Sequence, residues 1–75
     1  MADQPPLNGI GSRIRAARKD AKLTQLELAL MIGVRERTVV RWEQGHNEPR
    51  TEMVLWRIAK ATRKPLEFFD IGATA

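Results

Sequence analysis

One short stretch near the middle of the chain, residues 33–45, combines charged and branched apolar side chains at helical spacing. Winding it at about 100° per residue brings four of these side chains to one face. They are Glu36, Arg37, Val40 and Arg41. Arginine can donate paired hydrogen bonds to guanine O6 and N7, glutamate can accept from cytosine N4, and valine can contact the thymine methyl group. This face therefore carries the chemistry needed to read base edges in a DNA groove.

The opposite side of this helix is apolar, because Val39 and Trp42 point away from the charged face. The alternative interpretation is an ordinary solvated helix on an apolar core, since charge-rich helix faces and single exposed valines are both common. Two features favour DNA contact by the charged face over simple exposure to solvent. Val40 has poor helix propensity and gains nothing on a purely solvated face, and Arg37 and Arg41 slightly weaken an isolated helix through like charge.

Helical periodicity predicts the elements that position this face, namely four helices and a short fifth turn. The predicted ranges are about 10–21, 24–32, 36–44, 51–62 and 66–69. Thr24 and Glu27 form a capping box at the start of the second helix, while Gly33 and Gly45 end the second and third helices. The predicted inward stripes are Ile10, Ile14 and Ala17, then Leu26, Ala29 and Leu30, then Leu55, Ile58, Ala59 and Thr62.

The connection between the second and third helices is only residues 33–35, Gly-Val-Arg. So short a joint forces two helices to meet at a steep angle, which is the helix-turn-helix arrangement. In such folds the second helix of the pair can lie in the DNA major groove.

Composition limits the function classes. The 75 residues make one small domain with a net charge of +4 and a pI near 10.4, which suits a polyanionic partner. No apolar run approaches the ~18 residues of a membrane span, and the start lacks a secretory signal, so we expect a cytoplasmic location without membrane association.

We predict a disordered lead over residues 1–9, a folded domain over residues 10–70 and a tail over residues 71–75.

Catalysis and metal binding are not indicated by the residue types. The chain has one histidine and no cysteine, and its one serine is Ser12. Neither a catalytic triad, a glycine-rich phosphate loop nor metal-ligand spacing is present in the sequence. We therefore predict no enzymatic activity, no metal, no cofactor and no small-molecule ligand.

Glu43 falls at the border between the two faces of the third helix, beside Trp42. A carboxylate at such a position is unfavourable unless it is paired. Arg18 on the first helix is the expected partner, and the pair would hold the first helix against the third. A phosphate contact is the alternative role for Arg18.

Several short segments follow one another in a fixed order. They are Leu23-Thr24-Gln25, Glu27-Leu28-Ala29, Ile32-Gly33-Val34, residues 38–45, Pro49 and Ile58-Ala59-Lys60-Ala61. This order and spacing resembles the lambda-repressor/Cro-type (XRE-type) helix-turn-helix family over about residues 10–70. The resemblance implies an all-α fold, a compact four-to-five-helix bundle that contains a helix-turn-helix. It also implies a sequence-specific transcriptional regulator, namely a repressor that binds double-stranded DNA at a pseudo-palindromic operator as a homodimer.

The resemblance further implies roles for individual residues. Those that match base-contacting positions of the recognition helix are Arg35, Glu36, Arg37, Val40 and Arg41. Those that match phosphate-contacting positions are Gln25, Thr38, Gln44, His46, Asn47 and Arg50. Arg18 and Glu43 match an internal ion pair of the family. A plain surface amide is the alternative for Gln25, and a neutral loop histidine is the alternative for His46.

The chain departs from the family pattern at a few positions. Arg35 stands where a small polar cap is frequent, so the third helix should lack a side-chain cap at its start. Lys22 and Arg63 stand where glycine is usual, so both should adopt uncommon backbone angles. The loop before the fourth helix is one residue longer, which affects the alignment of Arg50, and Pro65 replaces the usual cap of the last helix.

A second function class uses the same fold as a protein-docking module, for example an antitoxin or coregulator, without reading DNA. Exposed aromatic and apolar residues near the end of the chain would serve either such docking or a homodimer interface. The candidates are Trp56, Phe68, Phe69 and Ile71, and simple packing in the core accounts for Phe68 or Phe69 equally well. A regulatory protein partner is compatible with both classes, and the sequence does not choose among a phage repressor, a restriction-modification controller and an antitoxin.

Overall fold

The computed structural model describes residues 9–69, and over that range it is all-α. The helices are α1 (Ile10–Asp20), α2 (Gln25–Ile32), α3 (Glu36–Glu43) and α4 (Glu52–Thr62), followed by a 3-10 turn (Leu66–Phe69). The predicted number, order and approximate bounds of the helices are confirmed. Within residues 9–69 none of the helices is long and apolar enough to cross a membrane. The predicted lead and tail lie outside the described residues, apart from Gly9.

Local capping explains where the central helices begin and end. The Glu27 amide donates to Thr24 Oγ1 at 3.0 Å, and the Thr24 amide donates to Glu27 Oε1 at 2.8 Å, which completes the predicted capping box of α2. Gly33 ends α2 in the left-handed region with φ of 79°. Lys22 and Arg63 follow α1 and α4 with φ of 60° and 61°, as expected for residues that replace glycine.

The core is formed by one side of each helix together with the 3-10 turn. Its largest fully buried side chains are Phe69, Ile14, Leu28, Ile58 and Val39. The stripes predicted for α1 and α4 face inward, although Leu55 is only partly buried. Helix α2 packs against α3 and α4, and α1 packs against α3, so the helix-turn-helix is supported from two sides.

The predicted inward face of α2 is wrong. Leu26 and Leu30 are 47% and 71% exposed, whereas Leu28 and Ile32 join Ala29 in the core. Six of the eight residues of α2 are apolar, so the pattern alone does not select one face. The packing of α2 between α3 and α4 selects the side that carries Leu28 and Ile32.

The prediction of Phe69 as an interface residue is also wrong, because its side chain is only 1% exposed. Its ring makes an edge-to-face contact with Phe68, with centroids 5.2 Å apart. The 3-10 turn lies on α1 and α4 and places Phe69 inside. Phe68 is partly buried and Trp56 is 51% exposed, while Ile71 lies outside the described residues.

Helix α1 approaches the end of α3 very closely at Gly11. A Cβ atom built on Gly11 would lie 2.1 Å from the Trp42 carbonyl oxygen. Nothing larger than a hydrogen atom fits between the two backbones at this point, and this explains why a residue with poor helix propensity stands in the first turn of α1.

A surface ion pair connects the C-terminal end of α1 with the segment that follows α4. Lys64 Nζ lies 2.7 Å from Asp20 Oδ2. The hydrogen bond and the positive charge of Lys64 hold the pKa of Asp20 below its usual value.

Candidate nucleic-acid interface

The turn between α2 and α3 is set by backbone hydrogen bonds. The amides of Gly33 and Val34 both donate to the Ala29 carbonyl oxygen, at 2.9 and 3.0 Å. Val34 packs against the core and anchors the middle of the turn. The arrangement closes α2 with a left-handed glycine and directs the chain at once into α3.

Helix α3 separates its side chains as its sequence predicts. Val39 and Trp42 are 0% and 5% exposed and form the buried side. Arg37 and Arg41 are exposed, and Val40 lies beside them, partly buried. Glu36 is also exposed and stands in the first turn, where a carboxylate interacts favourably with the positive end of the helix dipole. The residues proposed to contact bases therefore lie together on one accessible surface.

The start of α3 has no side-chain cap among residues 9–69, as the presence of Arg35 predicts. Arg35 adopts an extended conformation at this position and is exposed. Arg35 directly precedes Glu36, the first residue of α3.

The remaining positions that match phosphate-contacting residues surround α3. Gln44, His46, Asn47 and Arg50 are exposed, whereas Gln25 and Thr38 are partly buried. Gly45 reverses the chain with φ of 82°, and the His46 amide donates to the Arg41 carbonyl oxygen at 3.0 Å. The end of α3 is therefore closed by backbone contacts that bring the following loop next to Arg41.

The ion pair predicted between Arg18 and Glu43 is present and has two hydrogen bonds. Arg18 Nε donates to Glu43 Oε2 at 2.7 Å, and Nη2 donates to Oε1 at 3.0 Å. Arg18 Nη1 also donates to the Leu23 carbonyl oxygen at 3.0 Å. The Arg18 and Glu43 side chains are only 11% and 3% exposed, so the pair is largely shielded from solvent and holds α1 against α3.

Gln25 joins this ion pair, a contact that sequence reasoning missed. Its Nε2 donates to Glu43 Oε1 at 3.1 Å. An ionised carboxylate only accepts hydrogen bonds, so the amide nitrogen must face Glu43 and the amide oxygen must face away. The signal in the sequence is weak, because Gln25 and Glu43 are 18 positions apart and neither type demands the other.

The structure brings no group of three or more potential metal ligands together within residues 9–69. The two carboxylates of α3 have different surroundings. Glu43 is paired with Arg18, and Glu36 stands alone at the start of α3.

Comparison with known proteins gives the same architecture. A family model described as helix-turn-helix matches residues 14–69. The Repressor protein C2 of Salmonella phage P22 is 41% identical over 46 residues, which cover 61% of this chain and 21% of that protein. The chain therefore spans about a fifth of the length of this curated relative.

Two solved structures of the P22 repressor have a similar fold. The solution structure of its DNA-binding domain superposes with a TM-score of 0.79 at 30% identity, covering 95% of this chain and 92% of that chain. A crystal structure of the P22 c2 repressor with a synthetic operator superposes with a TM-score of 0.73 at 33% identity, covering 81% of this chain and 91% of that chain.

Proposed function

The chain belongs to the XRE-type helix-turn-helix family, whose model matches residues 14–69, and from this membership we propose that it is a DNA-binding transcriptional repressor. The observation that carries the proposal is the exposed side of α3, where Arg37 and Arg41 flank Val40 while Val39 and Trp42 hold the helix to the core. The P22 c2 repressor, which has a similar fold, was solved with a synthetic operator.

In this proposal α3 lies in the major groove and reads base edges. The guanidinium groups supply donors for guanine, and Val40 supplies an apolar contact for a thymine methyl group. The residues that would contact bases are Arg35, Glu36, Arg37, Val40 and Arg41. Those that would contact phosphates are Gln25, Thr38, Gln44, His46, Asn47 and Arg50.

The hydrogen bond between Gln25 and Glu43 supports the phosphate role of Gln25. It uses one of the two N–H groups of the amide and fixes the plane of the side chain. The second N–H group remains to donate to a phosphate oxygen at the start of α2. Because Arg18 holds Glu43 in place, the position of Gln25 depends on α1 as well.

We further propose that the protein acts as a homodimer on a two-fold symmetric operator. A single α3 contacts few base pairs, and two copies related by symmetry read two half-sites about one helical turn apart. Leu66 is 41% exposed and Phe68 is partly buried, so the 3-10 turn offers apolar surface for a second copy. Ile71 remains a further predicted dimer contact, whereas Trp56 lies in a separate groove between α2 and α4.

In this proposal the protein binds DNA and catalyses no reaction. A repressor acts where its operator lies, so it would work in the cytoplasm, bound to the nucleoid. A docking role without DNA reading is not favoured, since the P22 c2 repressor, which has a similar fold, was solved with a synthetic operator.

Selection of binding sites from a random duplex pool at two salt concentrations tests the function. A repressor of this kind should recover a two-fold symmetric motif with half-sites about one helical turn apart. Recovery of no motif, with weak binding that vanishes as salt rises, would indicate phosphate attraction alone and would overturn the proposal.

Arginine variants then test the assignment of α3. Arg37→Ala and Arg41→Ala should each weaken binding to the selected site by ~1–3 kcal/mol and relax the preference at one position. Arg15→Ala is the matched control, because Arg15 is an exposed arginine on α1 outside the proposed surface. If the α3 variants and the control bound the selected site with equal affinity, α3 would not be the recognition helix.

A further inference from the structure

A groove of about 500 Å³ runs between the C-terminal end of α2 and the outer side of α4. We call it the α2–α4 groove, and its lining residues include Leu30, Met31, Trp56, Arg57, Lys60 and Ala61. Leu30, Met31 and Trp56 are 71%, 58% and 51% exposed. Large apolar side chains that gather in one exposed groove are typical of a binding surface rather than of ordinary solvent-facing residues.

The groove carries positive charge as well as apolar surface. Arg57 and Lys60 both line it, and the described lining residues include no carboxylate. Arg57 Nη1 donates to the Ile32 carbonyl oxygen at 3.4 Å, which positions the guanidinium and leaves its other N–H groups available. Lys60 Nζ lies 5.0 Å from the centroid of the Trp56 ring, so a cation and an aromatic face are held side by side.

We propose that the α2–α4 groove binds an acidic, amphipathic segment of a partner protein. Apolar side chains of that segment would cover Leu30, Met31 and Trp56, and its carboxylates would pair with Arg57 and Lys60. Carboxylate pairing with an oriented guanidinium gives specificity in addition to attraction. Apolar burial provides the remaining affinity.

The charge of the groove argues against a second copy of this chain as the occupant. A two-fold interface brings the same patch of both copies together. Arg57 and Lys60 of one copy would then face Arg57 and Lys60 of the other, with no carboxylate from the described lining to separate them. Like charges brought together in this way oppose association.

The apolar lining argues against nucleic acid as the occupant. Phosphates gain from Arg57 and Lys60 but not from covering Leu30 and Met31. The groove also shares no residue with the proposed DNA-contacting set. The inference concerns a separate surface and does not depend on the DNA-binding proposal.

Selection of short random peptides displayed on phage, with the free protein as target, tests this inference. We expect a consensus that combines aspartate or glutamate with large apolar residues. A synthetic peptide of that consensus should shift the backbone amide signals of α2 and α4 in a heteronuclear NMR titration. Its affinity should fall roughly tenfold or more in Trp56→Ala, as for the loss of a central aromatic anchor.

Charge variants separate groove binding from general attraction to a basic protein. Lys60→Glu should weaken the peptide several-fold, and the loss should shrink as salt is raised. Arg15→Glu is the matched control, since it makes the same charge change at an exposed site on α1 and should have a much smaller effect. Both positions are exposed, so both variants should fold.

Several results would overturn the inference. These are failure to enrich any peptide, a consensus without carboxylates, or affinity lost equally in Lys60→Glu and Arg15→Glu. Amide shifts confined to α3 would place the acidic peptide on the proposed DNA surface instead. The remaining alternative is that a second copy of the chain occupies the groove, and sedimentation equilibrium tests it. A dimer that dissociates in Trp56→Ala would show that the groove is an interface between two copies.

Discussion

Replacement of Gly11 by alanine should destabilise the fold, although alanine is the better helix former. The added methyl group would lie 2.1 Å from the Trp42 carbonyl oxygen and 3.2 and 3.3 Å from the Trp42 carbonyl carbon and Glu43 Cα. These are backbone atoms that cannot rotate away. Helix α1 must therefore move outward from the end of α3 by about 1 Å to reach an ordinary carbon–oxygen contact.

The size of the effect follows from two opposing contributions. Overpacking of a tight contact costs typically ~1–3 kcal/mol or more, and the helix propensity of alanine offsets roughly 1 kcal/mol. Because the methyl group at Gly11 meets rigid backbone, we expect a net loss of about 2 kcal/mol. In a domain of this size that loss lowers Tm by roughly 8–16 °C, out of a total stability of the order of 4–11 kcal/mol.

Urea unfolding followed by far-ultraviolet circular dichroism measures this loss, and a thermal scan gives Tm. Gly9→Ala is the matched control, because a Cβ at Gly9 meets no atom within 4 Å among the described residues. Gly9→Ala should change the free energy of unfolding by less than about 1 kcal/mol, because Gly9 is the N-cap residue of α1 and alanine is less favourable there. A Gly11→Ala variant as stable as the wild type, or more stable, would refute the reasoning, because helix propensity would then outweigh the close approach.

Three further predictions concern single side chains. Arg63→Gly should raise the free energy of unfolding by about 1 kcal/mol, because Arg63 holds φ of 61° and glycine adopts it without steric penalty; a drop in urea midpoint would count against this. Glu43→Gln should lower the free energy of unfolding by about 2–4 kcal/mol, since the shielded Arg18 guanidinium loses its charged partner, and an unchanged midpoint would show that the pair is dispensable. The pKa of Asp20 is lowered in the folded state by its hydrogen bond to Lys64 and by the positive charge of Lys64. Its ion pair therefore contributes stability above the unfolded pKa near 3.8, and this contribution is lost as pH falls through the lowered pKa. Asp20→Asn should then be less stable than wild type at pH 7 and equal to it in strong acid, whereas a pH-independent difference would contradict the assignment.

Features that depend on neighbouring residues were predicted well from the sequence. The capping box of Thr24 and Glu27 and the left-handed Gly33 involve groups within one helical turn, so their spacing is sufficient. The ion pair of Arg18 and Glu43 was also predicted, because a carboxylate beside the buried Trp42 requires a cation, and α1 carries several.

Features that depend on distant packing were predicted poorly. The α2 sequence is apolar on nearly all sides, so it does not indicate which side is buried. The contacts of α2 with α3 and α4 determine that Leu28 is buried and Leu30 is exposed. Phe69 became buried because the 3-10 turn folds back on α1 and α4. The hydrogen bond of Gln25 to Glu43 and the contact of Gly11 with Trp42 join residues far apart in the chain, and no local pattern reports them.

The division of α3 into two sides also bears on how such a protein can evolve. The helix buries Val39 and Trp42 among its eight residues, so changes on the outer side leave the core untouched. Substitutions at exposed positions usually alter stability by less than about 0.5 kcal/mol. If α3 has the proposed role, a duplicated gene would therefore acquire a new operator preference through single substitutions at Glu36, Arg37 or Arg41, without compensating changes elsewhere. The proposed DNA specificity and the stability of the fold would then change nearly independently of each other.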